Sequence, residues 1–157
     1  MFNNKSKAGS KGFTLIEILV VIGLIAILAA IVLIAINPAR QFALARNSQR
    51  DSNLNTILNA IGQNIADNKG LFGGTCGNLL PSGTASSSIL NAAGTGIDLS
   101  CLAPTYIASS IPTDPTYTSG ADTLYDISVG TNGRVLVCAP LSAEGALGTP
   151  PIKCISR

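Results

Sequence analysis

The sequence predicts an α+β chain: a long N-terminal helix, membrane-spanning in its first half and amphipathic in its second, packed on a small antiparallel β-sheet. Three observations predict it. Residues 13–36 are almost wholly apolar and carry a single charge, Glu17. Beyond Asn37-Pro38, Leu54, Ile57, Leu58, Ile61 and Ile65 recur at steps of three and four, which is one face of a helix. Further on, Tyr125, Ile127 and Val129 alternate with Asp126 and Ser128, meet Gly130-Thr131-Asn132-Gly133, and the pattern resumes at Val135 and Val137, as in a hairpin with one buried face.

Each element follows in order. Residues 1–12 read as a leader peptide, polar and basic with Lys5, Lys7 and Lys11. A secretory signal carries its apolar core before the cleavage site and loses it on cutting. Here the apolar run comes after Gly12, which has no side chain to obstruct a peptidase. At about 1.5 Å per residue, residues 13–36 form a helix of roughly 36 Å, enough to cross a hydrocarbon core of about 30 Å. A helix apolar on every side must be buried in lipid or in protein. Glu17 is the exception, and an acid held at membrane depth is a functional candidate. Gly23 is a weak point in the helix, and Pro38 predicts a bend at the end of the apolar run, while Asn37-Pro38 can equally end one helix and cap the next.

Residues 37–69 read as the amphipathic continuation, with Gly70 as its stop signal. Asn53, Asn55, Asn59, Gln63 and Asn64 fall on its other faces. Arg40, Arg46 and Arg50 are expected on a solvated or subunit-facing side, with lipid headgroups, a neighbouring subunit or DNA as their alternatives. They also balance the leader lysines, so the distribution of basic residues does not set the membrane orientation.

Residues 70–157 read as a disulfide-bonded loop and sheet domain. Its first part, to about residue 110, is rich in Gly, Ser, Ala and Thr, with a short helical turn expected near residues 88–92. Ile111-Pro112-Thr113-Asp114-Pro115 sets an extended entry to the sheet, and a third strand is expected at residues 152–155.

Composition removes whole classes of chemistry. The chain has no histidine, so no Ser-His-Asp or Cys-His arrangement and no histidine-containing zinc site can form. The acids are scattered singly, and no phosphate loop, nucleophile elbow or dinucleotide-binding pattern occurs. The reading is of a protein that is not an enzyme and needs no cofactor. Without the leader lysines, seven basic residues face eight acidic ones. A net charge near −1 is no nucleic-acid signature. A surface so sparsely charged suits packing against copies of the same chain. The four cysteines, Cys76, Cys101, Cys138 and Cys154, read as two disulfides. Three connectivities exist. Pairing sequence neighbours around Gly- and Pro-rich loops favours Cys76–Cys101 with Cys138–Cys154, and the spacings lack the close pairs of a zinc site.

Lys11-Gly12-Phe13-Thr14-Leu15-Ile16-Glu17, followed by the unbroken apolar run, resembles the N-terminal signature of type IV pilins and type II secretion pseudopilins. The resemblance covers about residues 5–50. It implies that a prepilin peptidase cuts between Gly12 and Phe13 and methylates the new amine, and that residues 13–36 become a filament-core helix. It also implies a subunit held by a single pass in the cytoplasmic membrane before assembly. Afterwards the subunit sits in an extracellular or periplasmic filament. Its partners are then copies of itself, an assembly ATPase and membrane platform proteins. A bridge near the C-terminus resembles the family's disulfide-bounded loop.

Glu17 has two readings. It can serve the unpaired N–H groups at its own helix start, or pair with the Phe13 amine of a neighbouring subunit during assembly. Phe13 and Glu17 lie one turn apart, so an axial shift brings one subunit's amine level with the other's acid.

The Pro-Thr-Asp-Pro element resembles one in pseudopilins, whose major members hold calcium nearby. Asp114, Asp122 and Asp126 are the weak candidates for such an ion. A pilus subunit, a pseudopilin and a DNA-uptake minor pilin are the three functional readings the resemblance leaves. The last lacks the basic or aromatic patch it needs, since only Arg134, Lys153 and Arg157 are basic in the distal domain.

Overall fold

The structure, a computed structural model, describes residues 12–74, 76–77, 80–81, 83 and 85–157. Apart from Gly12, the leader expected at residues 1–12 lies outside the described residues. The chain divides into two compact units, Met1–Pro38 and Ala39–Arg157.

The first unit is a helix, α1 (Leu15–Ala35), with no buried residue. At about 1.5 Å per residue its backbone is roughly 32 Å long, matching a hydrocarbon core of about 30 Å. It has the length and composition to cross a membrane. Gly23 leaves it unbroken. Of the bend and the helix break that Asn37-Pro38 allows, the structure shows the break. Ile36 is extended (φ −90°, ψ 108°), and a second helix, α2 (Pro38–Asp67), starts afresh at the proline. The reason is local. The residue before a proline is pushed out of the helical region, while a proline suits the first helical position, where its missing N–H has no partner to lose.

Within the second unit, α2 lays Leu54, Ile57, Leu58 and Ile61 into the core, all at most 2% exposed, with Ile65 packed at the edge. The predicted stripe is the observed one. The rest of the face was misjudged: Asn53, Asn64 and Arg50 are also buried. At the helix end the left-handed residue is Lys69 (φ 59°), one before the expected Gly70 (φ 90°). The Gly70 N–H reaches back to the Ile65 carbonyl at 2.8 Å, the six-to-one bond of a Schellman stop.

Among the described residues five strands form the sheet: β1 (Ser87–Leu90), β2 (Ile97–Asp98), β3 (Asp122–Val129), β4 (Val135–Ala139) and β5 (Lys153–Ser156), in the order β2-β1-β3-β4-β5. Only β1 and β2 run parallel. The predicted hairpin is β3–β4, closed by Gly130 donating to the Arg134 carbonyl at 2.8 Å and by Gly133 in the left-handed region at φ 76°. The predicted third strand is β5.

The helical turn expected near residues 88–92 is a strand instead. Ile89 and Leu90 are both buried, and the Thr123 hydroxyl donates to the Ile89 carbonyl at 2.8 Å. Long-range pairing outweighs the weak local preference of a Ser- and Ala-rich stretch.

The core joins α2, β1, β3, β4 and the loop carrying Leu99, Leu102, Ile107 and Ile111. Two disulfides fasten it, Cys76–Cys101 across a loop and Cys138–Cys154 between facing positions of β4 and β5. Their sequence separations of 25 and 16 correspond to about 3 kcal/mol each in the chain-entropy description. Among the described residues every core residue, and both bridges, lie within Ala39–Arg157, so this unit holds what it needs to fold by itself.

Candidate processing and assembly segment

The start of α1 is built from four residues. Thr14 is extended (φ −83°, ψ 150°) and caps the helix. Its hydroxyl accepts from the Glu17 N–H at 3.3 Å, and the Glu17 carboxylate accepts from the Thr14 N–H at 3.5 Å. This reciprocal capping box satisfies two N–H groups that a helix otherwise leaves without partners. Before it, Phe13 is 80% exposed, and a Cβ added to Gly12 would meet nothing within 4 Å. The Gly12-Phe13 bond thus lies in exposed chain outside regular secondary structure, immediately ahead of the helix start. One of the two sequence readings placed Glu17 near the free N–H groups of its own helix, but it overlooked Thr14 as its partner. The signal was present: threonine, two residues, then glutamate, ahead of an apolar run.

Downstream, α1 presents large side chains with nothing over them, from Leu15 at 82% exposure to Ile34 at 86%. Burying a Leu, Ile or Val side chain is worth about 1.5–3 kcal/mol. Such a helix is therefore driven strongly into lipid or against other apolar helices.

The other candidate residues lie in the second unit. Asp114 is buried beneath the Arg50 guanidinium, at 2.6 and 3.0 Å. Asp122 caps its own strand, accepting from the Leu124 N–H at 2.8 Å. Asp126 lies in β3 opposite Cys138 and Ser88. Among the described residues no group of three or more His, Cys, Asp or Glu side chains could hold a metal ion. The three aspartates expected as weak calcium candidates are thus not gathered into one site.

The arginines behave differently from the expectation of a solvated row. Arg50 is 1% exposed and bridges Asp114 and Glu144, meeting the latter at 2.5 Å. Arg46 pairs with the same Glu144, its Nε donating at 2.8 Å. Asn47 and Asn53 complete the network, bonding to Arg50, the Ser142 carbonyl, the Thr113 carbonyl and the Tyr125 hydroxyl. The hydrogen bond from Arg46, ahead of the opposing effect of burial, lowers the Glu144 carboxyl to about 2. At Asp114 burial works to raise the pKa, but the bonds from Arg50 and Thr116 outweigh it and hold the group below its usual range. This cluster ties α2 to the Pro112–Pro115 turn and to the segment after β4. It is a structural lock, and nothing in the local sequence around Arg50 announced it.

The family model for the prokaryotic N-terminal methylation motif matches residues 7–33. No curated protein and no solved structure matches the chain. The matched stretch contains Gly12, Phe13, the capping box and most of α1. The chain thus carries the prokaryotic N-terminal methylation motif, the signature of type IV pilins and pseudopilins.

Proposed function

We propose that this chain is the structural subunit of a type IV pilus-like filament. A prepilin peptidase cuts after Gly12 and methylates the Phe13 amine. α1 first holds the subunit in the cytoplasmic membrane by a single pass and then packs with the α1 helices of other copies in the filament core. An assembly ATPase and membrane platform proteins supply the work, and the unit Ala39–Arg157 faces outward. The subunit performs no catalysis and needs no cofactor. The observation that carries this reading is the methylation motif heading a helix whose apolar surface is uncovered on every side.

The Ile111-Pro112-Thr113-Asp114-Pro115 element, which resembles one in pseudopilins, supports a second reading as a type II secretion pseudopilin.

Mass spectrometry of the protein from its native membrane tests the proposal. The expected N-terminus is a methylated Phe13; a product starting at Met1, or beyond α1, refutes it. Glu17→Gln then tests assembly. Glutamine preserves a capping box while removing the charge. The variant is expected to be processed and membrane-held but absent from filaments, because an unmatched partner of a buried ion pair costs about 3–5 kcal/mol. Filaments at normal yield would assign Glu17 to the cap alone.

A further inference from the structure

We propose that the Cys138–Cys154 bridge is a site of thiol–disulfide exchange, where an attacking thiol becomes joined to Cys154 while the Cys76–Cys101 bridge stays closed. Strand geometry separates the two bridges. Successive side chains point to opposite faces of a strand. In β4, Val135, Val137 and Ala139 are buried in the core, which turns Leu136 and Cys138 to the other face of the sheet. In β5, Ile155 packs against the core and Lys153 pairs with Asp51 of α2, which turns Cys154 and Ser156 away from the helix. Cys138 and Cys154 face each other across the two strands, the first half-buried and the second exposed. β5 is also an edge strand, with β4 as its one neighbour among the described residues. Cys76, by contrast, is 4% exposed and belongs to the core, and Cys101 packs against it. Access governs which sulfur is attacked and how fast, so the solvent-side sulfur of Cys154 is the one a thiolate reaches.

Opening this bridge does not release β5. Val135 and Arg157 exchange both backbone hydrogen bonds, at 2.9 and 3.0 Å. The Lys153 N–H donates to the Ser142 hydroxyl at 2.7 Å, and the Lys153 and Arg157 side chains reach Asp51 and Asn59 of α2. The strand therefore keeps its place while its outward cysteine changes partner.

The exchange is balanced without an added oxidant. The incoming thiolate forms a new S–S bond with Cys154, the Cys138–Cys154 bond breaks, and its electron pair leaves on Cys138, which then takes a proton from water. A monothiol stops there, as a reversible cap on Cys154. A dithiol goes on: its second sulfur attacks the cap, Cys154 leaves as thiolate, and the dithiol is oxidised as the bridge is reduced.

The test uses the full chain in detergent, without denaturant, at about pH 8, where a free thiol is partly thiolate. One sample receives reduced glutathione and another dithiothreitol. Both are quenched in acid, blocked with iodoacetamide and mapped by mass spectrometry of their peptides. Glutathione should appear on Cys154, with Cys138 alkylated, and dithiothreitol should leave both alkylated. Cys76–Cys101 should open at least about tenfold more slowly, since its exchange waits on opening of the core. Circular dichroism should keep its native shape, with a melting temperature lower by about 10 °C. Separately, Cys138→Ser should be capped by oxidised glutathione at least about tenfold faster than Cys154→Ser, whose remaining thiol is the less accessible one.

Four outcomes would overturn the proposal. Cys76–Cys101 opens first or equally fast; glutathione is found on Cys138; neither bridge opens until denaturant is added; or the sheet signal is lost with the first bridge. The mapping needs no substitution, so it decides even where a variant does not fold. Every group involved lies within Ala39–Arg157, so failure here leaves the Phe13 N-terminus and the filament reading to their own measurement.

Discussion

α1 and α2 are separated by Ile36 and Asn37 alone, yet they meet opposite physical demands. α1 has only one ionisable side chain and covers none of its apolar surface. α2 is rich in amides and charges, buries an arginine and three asparagines, and finds a partner for each inside its own unit. Among the described residues no buried side-chain polar atom lacks a hydrogen bond. An uncovered apolar helix contributes nothing to the folding of its own chain and must be completed by something else. A satisfied polar helix is complete already. Substitutions in α1 should therefore change where the chain goes, and substitutions in α2 should change whether the second unit stays folded.

The sharpest way to break this contrast is Arg50→Ala. It strands Asp114, which is itself buried, without a counter-charge. Removing one partner of a buried pair costs about 3–5 kcal/mol. For a unit of this size the melting temperature should fall by roughly 10–20 °C. Arg46→Ala is the control within the same network. Its side chain is 36% exposed, and open ion pairs are worth about 1 kcal/mol or less. Thermal melts followed by circular dichroism on Ala39–Arg157 read both. Equal losses would mean that burial does not decide the energetics of this cluster. Processing of the full chain after Gly12 should be unaffected by either change.

A smaller effect is expected from acid. Glu144 and Asp114 both sit below their usual range in the folded state. A group depressed on folding stabilises above its unfolded pKa and loses that contribution as pH falls toward its folded one. For Glu144 the window runs from 4.5 down to about 2. The melting temperature of Ala39–Arg157 should therefore hold from neutral pH to about pH 5 and fall below that. Arg46→Gln should shallow the fall, since it removes the main cause of the Glu144 shift. A slope unchanged by that variant would place the acid sensitivity elsewhere.

What the sequence disclosed and what it hid divide along the same line. α1, the Leu54–Ile61 stripe and the β3–β4 hairpin could be read because each is a local period. Each repeats within a few residues and needs no knowledge of its partner. Arg50 could not be read that way, because its partners stand 64 and 94 residues away and the helical wheel shows only a charge. Asn53 was placed outside for the same reason, since it bonds the distant Thr113 carbonyl; Asn64 bonds the backbone of Gly73, nearer in sequence but across the end of the helix. β1 was missed because a Ser-rich tetrad becomes a strand only when β3 lies beside it. The helix break at Asn37-Pro38 and the Thr14–Glu17 box are another matter. Both are rules of adjacent residues: the first is one of the two outcomes the Asn-Pro pair allows, and a closer local reading would have found the second.

Thr14→Val supplies the smallest and most discriminating change. It deletes the hydroxyl that accepts from the Glu17 N–H and leaves the Glu17 charge in place. Losing such a cap costs about 1 kcal/mol, confined to the first turn. The full chain in detergent should show faster amide exchange at the start of α1 and none deeper. Its processing and filament yield should remain near normal, whereas Glu17→Gln keeps the cap and should lose the filament. If instead the valine variant also fails to assemble, the order of the first turn is itself what neighbouring copies recognise, and the carboxylate acts through its own helix rather than across to another.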